Sequence, residues 1–204
     1  MTPDQTSTSI LVATDPPHFG AADDGRIVSS ADFAAATYDE PWTYERVDGR
    51  LVVMSPDGWE HVETSEPWRD GLVAYKLARP DVVRQVVSQP WVRIDGGKDR
   101  IGDLGVYLSG NATQRKIPDL VPDLMFEFVS PSREDRRRDY VQKRADYFKV
   151  GVCEYIIVDR FDRNVTVLTL GPDGYAERVL AGDATYESPL LPGLAIRLAE
   201  VWPR

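Results

Sequence analysis

The sequence predicts an α/β fold in which a mixed β-sheet is flanked by helices. Residues 124–129 are apolar on both faces apart from one carboxylate, as expected of a strand that is covered on two sides. The helix that follows begins at Ser130-Pro131-Ser132, where Ser132 and Asp135 have the spacing of a capping box, and it ends at Gly151. Residues 153–158 are again apolar and β-branched and predict a second strand. The segment between the two strands is long enough for a crossover that makes them parallel.

The chain divides into an N-terminal arm and one domain. Residues 1–30 are rich in Thr, Ser, Asp, Pro and Gly, and we expect a flexible or loosely docked arm. Residues 31–204 then form a single domain, a length that suits one sizeable core. Its first element is a short helix over residues 31–38, capped by Ser29 or Ser30.

A β-hairpin and a long helix come next. Asp48-Gly49 lies between two short strand-like runs and is the clearest hairpin signal in the sequence. Residues 60–78 have a broad apolar face typical of a helix, and Pro67 and Gly71 indicate a kink or a late start.

The remaining segments have the composition of strands. Residues 82–94 are β-branched and break near Gln89, and residues 101–108 form the next strand. Residues 164–170 and 175–180 flank a Pro-Asp-Gly turn. They predict additional antiparallel strands at the C-terminal end of the sheet.

The overall charge limits which partners the protein can bind. With a formal net charge of -9 and a sequence pI of about 4.8, the chain cannot be held to nucleic acid by overall charge. A DNA-binding function needs a local basic patch or a bound metal. The single cysteine, Cys153, excludes an internal disulfide and suits a reducing compartment. No signal peptide or membrane span is predicted, so we expect a cytoplasmic protein that does not bind membranes.

Three charged residues occupy positions that packing alone would make apolar. Glu127 lies within the buried strand, where an isolated carboxylate must be paired, protonated or bound to a cation. Asp103 shares a strand face with Gly105, whose small size lets a ligand approach. Lys143 lies on the helix face that should contact the sheet, within reach of Glu127. That face comprises Tyr140, Lys143, Arg144, Tyr147, Phe148 and Gly151.

Each of these residues also has a purely structural interpretation. Glu127 would pair with an arginine or be solvated at a strand end, and Asp103 would cap a turn. Lys143 would pack its stem along the aromatic rings and keep its ammonium in water. Glu45, in the first strand of the hairpin, would be an edge-strand carboxylate that pairs with a neighbouring arginine.

Two carboxylates and one ammonium together indicate a definite chemistry. Carboxylates bind Mg²⁺ through oxygen, and one or two from the protein suffice when water and phosphate oxygens complete the octahedron. The metal polarises the phosphate and lowers the pKa of a bound water, while a lysine orients that water or stabilises developing charge. Asp103, Glu127 and Lys143 therefore predict hydrolysis of a phosphodiester with Mg²⁺ or Mn²⁺.

A series of short motifs extends along the middle of the chain, over roughly residues 42–170. They are Tyr44-Glu45-Arg46-Val47-Asp48-Gly49, Asp103-Leu104-Gly105-Val106, Pro122-Asp123-Leu124, Glu127-Phe128-Val129-Ser130-Pro131-Ser132, Asp139, Lys143, Tyr147 and Gly151-Val152-Cys153-Glu154-Tyr155. This pattern resembles the Uma-type putative restriction endonuclease family, which belongs to the PD-(D/E)XK nuclease superfamily. The linked pattern from Glu127 to Gly151 is the specific part of the resemblance, whereas the match at Asp103 is short.

The resemblance implies a restriction-endonuclease-like sheet and a set of metal ligands. Asp103 and Glu127 would bind the metal, with the Phe128 carbonyl as a third ligand. Val129 stands where the superfamily usually carries its lysine. The resemblance implies that Lys143 on the helix takes over that role.

The match also leaves some positions open. Glu45 corresponds to an early acidic position of the family and would support the metal or a water. His61 corresponds to a frequent family position, for which no role is implied. Gly102 stands where the superfamily often has proline, so Asp119 or Asp123 is a rival for the role of Asp103, although the strand context favours Asp103.

The basic residues of the central helix are candidates for DNA contacts. Residues 133–149 contain seven basic and four acidic side chains. Arg136, Arg137 and Arg138 would contact phosphates, or would form a solvated helix face with internal ion pairs. Because the whole chain is acidic, we expect DNA binding that is weak or assisted by a partner, and a homodimer is compatible with the sequence.

Three functions remain open at this point. The first is a Mg²⁺-dependent DNA endonuclease with the site described above. The second is a catalytically silent nuclease-fold protein that serves as a binding or assembly module, which the acidic composition favours. The third is a hydrolase of another phosphoester, which the same residues would support.

Overall fold

A computed structural model describes residues 15–111 and 116–203. The strands are β1 (His18–Phe19), β2 (Thr37–Tyr38), β3 (Thr43–Val47), β4 (Arg50–Met54), β5 (Val83–Ser88), β6 (Trp91–Asp95), β7 (Lys98–Ile101), β8 (Leu104–Leu108), β9 (Leu124–Phe128), β10 (Glu154–Asp159), β11 (Asn164–Gly171), β12 (Gly174–Ala181), β13 (Thr185–Tyr186) and β14 (Ile196–Arg197). The helices are α1 (Ser30–Ala35), α2 (Trp59–Ala78), α3 (Arg133–Arg137), a π-helical turn (Arg138–Lys143) and α4 (Arg144–Val150). Single 3-10 turns occur at Ala21–Asp23, Ser109–Asn111 and Leu198–Glu200.

A six-stranded mixed sheet forms the centre of the protein, in the order β12-β11-β10-β9-β8-β5. Strands β9 and β10 are parallel, and every other neighbouring pair in this sheet is antiparallel. The broken helix α3 to α4 connects β9 with β10, as the capping and C-terminal signals predict. The predicted mixed sheet with flanking helices and C-terminal antiparallel strands is confirmed.

The two faces of the central sheet carry separate cores. Leu124, Phe126 and Phe128 point into the larger core, which α2 and the C-terminal segment cover. Met125 and Val129 point into the second core, which Tyr147 of α4 covers. Because side chains alternate along a strand, Glu127 belongs to this second face.

A smaller four-stranded sheet, in the order β4-β3-β7-β6, lies beside the central one. Its β3–β4 hairpin turns at Asp48 and Gly49, which have φ angles of 52° and 75°, as a tight primed turn requires. The predicted N-terminal hairpin is confirmed.

The prediction of one continuous strand over residues 101–108 is wrong, because the segment is divided between two strands. Strand β7 ends at Ile101 in the small sheet, and β8 begins at Leu104 in the central sheet. Gly102 and Asp103 form the link between the sheets. A Cβ atom at Gly102 would clash with the Met125 side chain, so glycine lets the two sheets meet here without displacing that side chain.

The helical face predicted to contact the sheet is partly wrong. Lys143 and Tyr147 are buried as expected, but Phe148 is exposed, and Asp139 and Asp146 are buried instead. The cause is the π-helical turn, because its wider hydrogen-bond ring shifts the phase of the residues before and after it.

The N-terminal helices differ from their predicted limits. Helix α1 is capped by Ser29 and ends at Ala35, after which Thr37–Tyr38 pairs in parallel with β1. Helix α2 begins at Trp59 and includes Pro67, so a late start is wrong. Within the described residues, no helix combines the length and hydrophobicity needed to span a lipid bilayer.

Part of the predicted arm lies among the described residues. Phe19 and Val28 are buried in a third apolar cluster, against Phe33, Tyr44 and Leu51. The first 14 residues of the arm lie outside the described part of the chain. The division of the chain at residue 30 stays a prediction.

Candidate active site

A cavity of about 490 Å³ opens where the two sheets and the broken helix meet. Asp103, Glu127 and Lys143 all line it, although they come from the inter-sheet link, β9 and the π-helical turn. The tertiary structure therefore brings together the three charged residues that the sequence indicated. Asp57, from the loop before α2, and His61, from the first turn of α2, line the same cavity.

Lys143 and Glu127 form a buried ion pair at the base of the cavity. The Lys143 Nζ lies 2.8 Å from the Glu127 Oε2 and donates a second hydrogen bond of 2.9 Å to the Ile101 carbonyl. The Tyr147 hydroxyl donates to the Glu127 Oε1 over 2.8 Å. Both oxygens of the carboxylate are therefore held in place, and the alternative of a solvated lysine is wrong.

Glu45 lies on the far side of Lys143, buried beneath the cavity wall. Its Oε1 is 3.5 Å from the Lys143 Nζ and accepts the Ile101 N–H over 3.1 Å. Its Oε2 accepts a 2.7 Å hydrogen bond from Arg100, which also donates to Asp146 over 2.8 Å. The structure thus places Glu45 in contact with Lys143 and not in the wall that faces the opening.

Asp103 is the more accessible of the two central carboxylates. Its Oδ2 accepts the Phe128 backbone N–H over 2.7 Å, which ties the inter-sheet link to β9 one residue after Glu127. The His61 Nε2 lies 3.9 Å from the same oxygen and 3.7 Å from an Asp57 oxygen. Asp103 therefore lies next to Glu127 and not on the opposite face of the sheet.

The carboxyl groups outnumber the cations that could neutralise them. Burial raises the pKa of Glu127 well above its usual range, and Asp103 and Asp139 raise it further against the opposing effect of Lys143. Burial also raises the pKa of Asp139 to about 6, and that of Asp57 in the same direction. A cation bound among these groups would relieve that electrostatic cost.

The basic groups of the site are charged at neutral pH. Burial alone would lower the pKa of Lys143, but Glu127 and Glu45 raise it above its ordinary value. The pKa of Glu45 is held below its usual range, because Lys143 and Arg100 outweigh the effect of burial. Lys143 is therefore a stable ammonium, and Glu45 a stable carboxylate.

The donor set fits a hard divalent cation that keeps several waters. Among the described residues, no three His, Cys, Asp or Glu side chains converge closely enough to hold a metal by themselves. Mg²⁺ does not need such a cage, because it commonly takes one or two carboxylates and leaves the other positions to water and substrate oxygens. Asp103 and Glu127 can supply those two carboxylates, and the Phe128 segment lines the same cavity.

The two rival acidic residues lie elsewhere. Asp119 pairs with Arg93 over 3.1 Å, and the Asp123 Oδ2 accepts the Leu108 N–H over 2.7 Å. Neither residue lines the cavity, so the geometry favours Asp103.

Several residues of the site had no assigned role in the sequence. Asp57 lies in a loop without a periodic pattern, and Arg100 appears in the sequence as an ordinary strand residue. Tyr147 was expected on the same helix face as Lys143, but its hydrogen bond to Glu127 depends on how the helix packs on β9.

The Uma2 family, described as "Putative restriction endonuclease", has a family model that matches residues 31–199. The chain belongs to this family. The match covers both sheets, the broken helix and every residue of the cavity discussed above. No curated protein matches the chain.

A crystal structure from Anabaena variabilis ATCC 29413 shows a fold similar to that of this Uma2 family protein. It is described as a "putative nuclease belonging to DUF820" and superimposes with a TM-score of 0.68. The alignment covers 86% of this chain and 97% of that one, at 14% sequence identity. The restriction-endonuclease-like fold expected from the sequence is thus shown.

Proposed function

We propose that the protein is a metal-dependent nuclease that hydrolyses DNA phosphodiester bonds. The observation that carries the proposal is the buried Lys143–Glu127 pair, with 2.8 Å between its charged atoms, in the wall of an open cavity that Asp103 also lines. Asp103 and Glu127 would hold Mg²⁺ or Mn²⁺, and the Phe128 carbonyl would be a third ligand. When bound, the metal supplies polarisation of the phosphate and a water of lowered pKa.

In this proposal, the surrounding residues keep the reacting groups in place. Lys143 lines the cavity, and its ammonium would orient the attacking water and stabilise charge that develops on the phosphate. Glu45 acts as a positioning residue, since its carboxylate contacts the ammonium from below. Tyr147 positions Glu127 through the hydrogen bond to its Oε1.

The arginines of the broken helix differ in their freedom to bind DNA. Arg136 forms ion pairs with Asp159 and Asp162, and Arg138 pairs with Asp135. Arg137 is exposed, lines the cavity and has no ion pair with any residue that the structure describes. Arg137 is therefore the best candidate of the three for a phosphate contact. The acidic net charge supports weak or partner-assisted binding, and a homodimer stays a prediction.

A plasmid assay tests the proposed function. We expect the wild-type protein to convert supercoiled plasmid to nicked or linear DNA with Mg²⁺ or Mn²⁺ and not with EDTA, because the carboxylates need a cation to bind the phosphate. The same preparations should be inactive on phosphomonoesters. A protein that binds plasmid without cutting it under any metal condition would be a silent binding module, and hydrolysis restricted to small phosphoesters would favour the third function.

A charge substitution tests the phosphate contact. Arg137→Ala should weaken DNA binding and reduce the slope of log Kd against log salt by about one, because one phosphate contact is lost. Fluorescence anisotropy at several salt concentrations measures both quantities. Arg69→Ala, at an exposed position of α2 outside the cavity, is the matched control. An unchanged salt slope for Arg137→Ala would exclude this contact.

A further inference from the structure

Gln89 has a strained backbone at the edge of the cavity. Its φ angle is 52°, in the left-handed region that non-glycine residues seldom adopt, and it directly precedes Pro90. A residue before proline is normally extended. Strain of this kind persists only where the surrounding structure enforces it, and it clusters at functional sites.

Two backbone hydrogen bonds enforce this conformation. The Gln89 N–H donates to the Asp103 carbonyl over 3.0 Å, and the Gly102 N–H donates to the Pro90 carbonyl over 3.1 Å. Pro90 is buried against Gly105, where an added Cβ would lie 2.9 Å from the proline ring. Gln89 is therefore fixed to the inter-sheet link that carries Asp103.

The side chain of Gln89 is free although its backbone is fixed. It is exposed, it lines the cavity together with Asp57 and Asp103, and it makes no hydrogen bond to any residue that the structure describes. Gln85, four residues earlier on β5, shows the contrasting case, because its amide accepts a 2.7 Å hydrogen bond from Lys76. The Gln89 amide is therefore available to contact a ligand in the cavity.

The chemistry of an amide indicates what it would contact. A glutamine side chain offers one donor and one acceptor side by side, which match the N6 and N7 edge of adenine, whereas phosphates are usually bound by arginine and lysine. We propose that Gln89 is a specificity-determining residue that hydrogen-bonds an adenine edge of the nucleotide beside the phosphate at Asp103. The inference rests on the nuclease function proposed above, since it requires DNA in this cavity.

A binding selection tests this inference separately from catalysis. A pool of DNA duplexes with randomised centres is equilibrated with the full-length protein in EDTA, so that metal-dependent cleavage cannot occur, and the bound fraction is sequenced. We expect adenine to be enriched at one position for the wild type. Gln89→Ala and Gln89→Gly should lower the affinity for the enriched duplex by about tenfold, the loss of one base contact.

The glycine variant separates a contact from a structural role. A glycine residue adopts a positive φ without strain, so Gln89→Gly should raise the Tm while it weakens binding to the enriched duplex. Gln85→Ala, outside the cavity, should change neither the enrichment nor the affinity. The inference is overturned if the wild type enriches no base, or if the enrichment survives in Gln89→Ala. Base enrichment that depends on Gln89 in a protein that never cuts plasmid would support this inference and overturn the nuclease proposal.

Discussion

Replacing Glu127 with glutamine is expected to reduce metal-dependent DNA cleavage by about 10²- to 10³-fold, the scale for removing a group that stabilises transition-state charge. The amide keeps the volume of the carboxylate and can still accept from Lys143. It cannot supply the negative charge that a divalent cation requires. The rate of plasmid nicking with Mg²⁺ or Mn²⁺ measures this effect, and calorimetric titration with Mn²⁺ should show the parallel loss of metal affinity.

The matched control for this substitution is Glu66→Gln. Glu66 is an exposed glutamate of α2 outside the cavity, so its variant should cut plasmid at the wild-type rate. Circular dichroism must show that Glu127→Gln is folded, so that lost activity is not lost structure. Metal-dependent cleavage that persists in Glu127→Gln would remove this residue from the site and favour a different group of carboxylates.

The largest effect on stability is expected at Arg100. Its guanidinium is buried and donates hydrogen bonds of 2.7 Å to Glu45 and 2.8 Å to Asp146. Arg100→Met would remove the buried guanidinium that both carboxylates share, leaving Glu45 beside Lys143 and Asp146 beside Lys98. Breaking such a buried pair costs about 3–5 kcal/mol. For a domain of this size, the Tm should fall by about 10 °C. Differential scanning calorimetry at neutral pH measures it.

The activity of the Arg100 variant tests the positioning role of Glu45. Because Glu45 contacts the Lys143 ammonium, a displaced Glu45 should lower kcat even at temperatures where Arg100→Met is fully folded. Arg84→Met, at an exposed arginine of β5, should leave both the Tm and kcat unchanged. A Tm loss of less than about 2 °C would contradict the argument, because an essential buried cation cannot be removed at so small a cost.

Local sequence signals suffice for several features of the fold. Some features depend only on residues that are close together in the chain. They are the order of strand, helix and strand, the helix cap at Ser132, the helix end at Gly151 and the turn at Asp48-Gly49. Each could therefore be predicted from spacing and residue type. Glu127 also stood out, because an acidic residue within an apolar strand violates the packing pattern whatever the fold around it.

Other features depend on contacts between distant segments. The break between β7 and β8 lies where two sheets meet, at Gly102, beside the side chain of the distant residue Met125. The π-helical turn shifts the helix so that Asp139 and Asp146 become buried. The pairing of Arg100 with Glu45 joins residues 55 positions apart.

The amino-acid sequence by itself determined the α/β order of the core and the three charged residues that define the candidate site, because periodicity, capping and misplaced charge are local properties. The tertiary structure alone decided that Asp103 belongs to the link between the sheets, that Glu45 contacts Lys143, and that Gln89 is held at the cavity edge. These positions depend on how two sheets and one helix pack together, and packing of distant segments leaves no periodic trace in the chain.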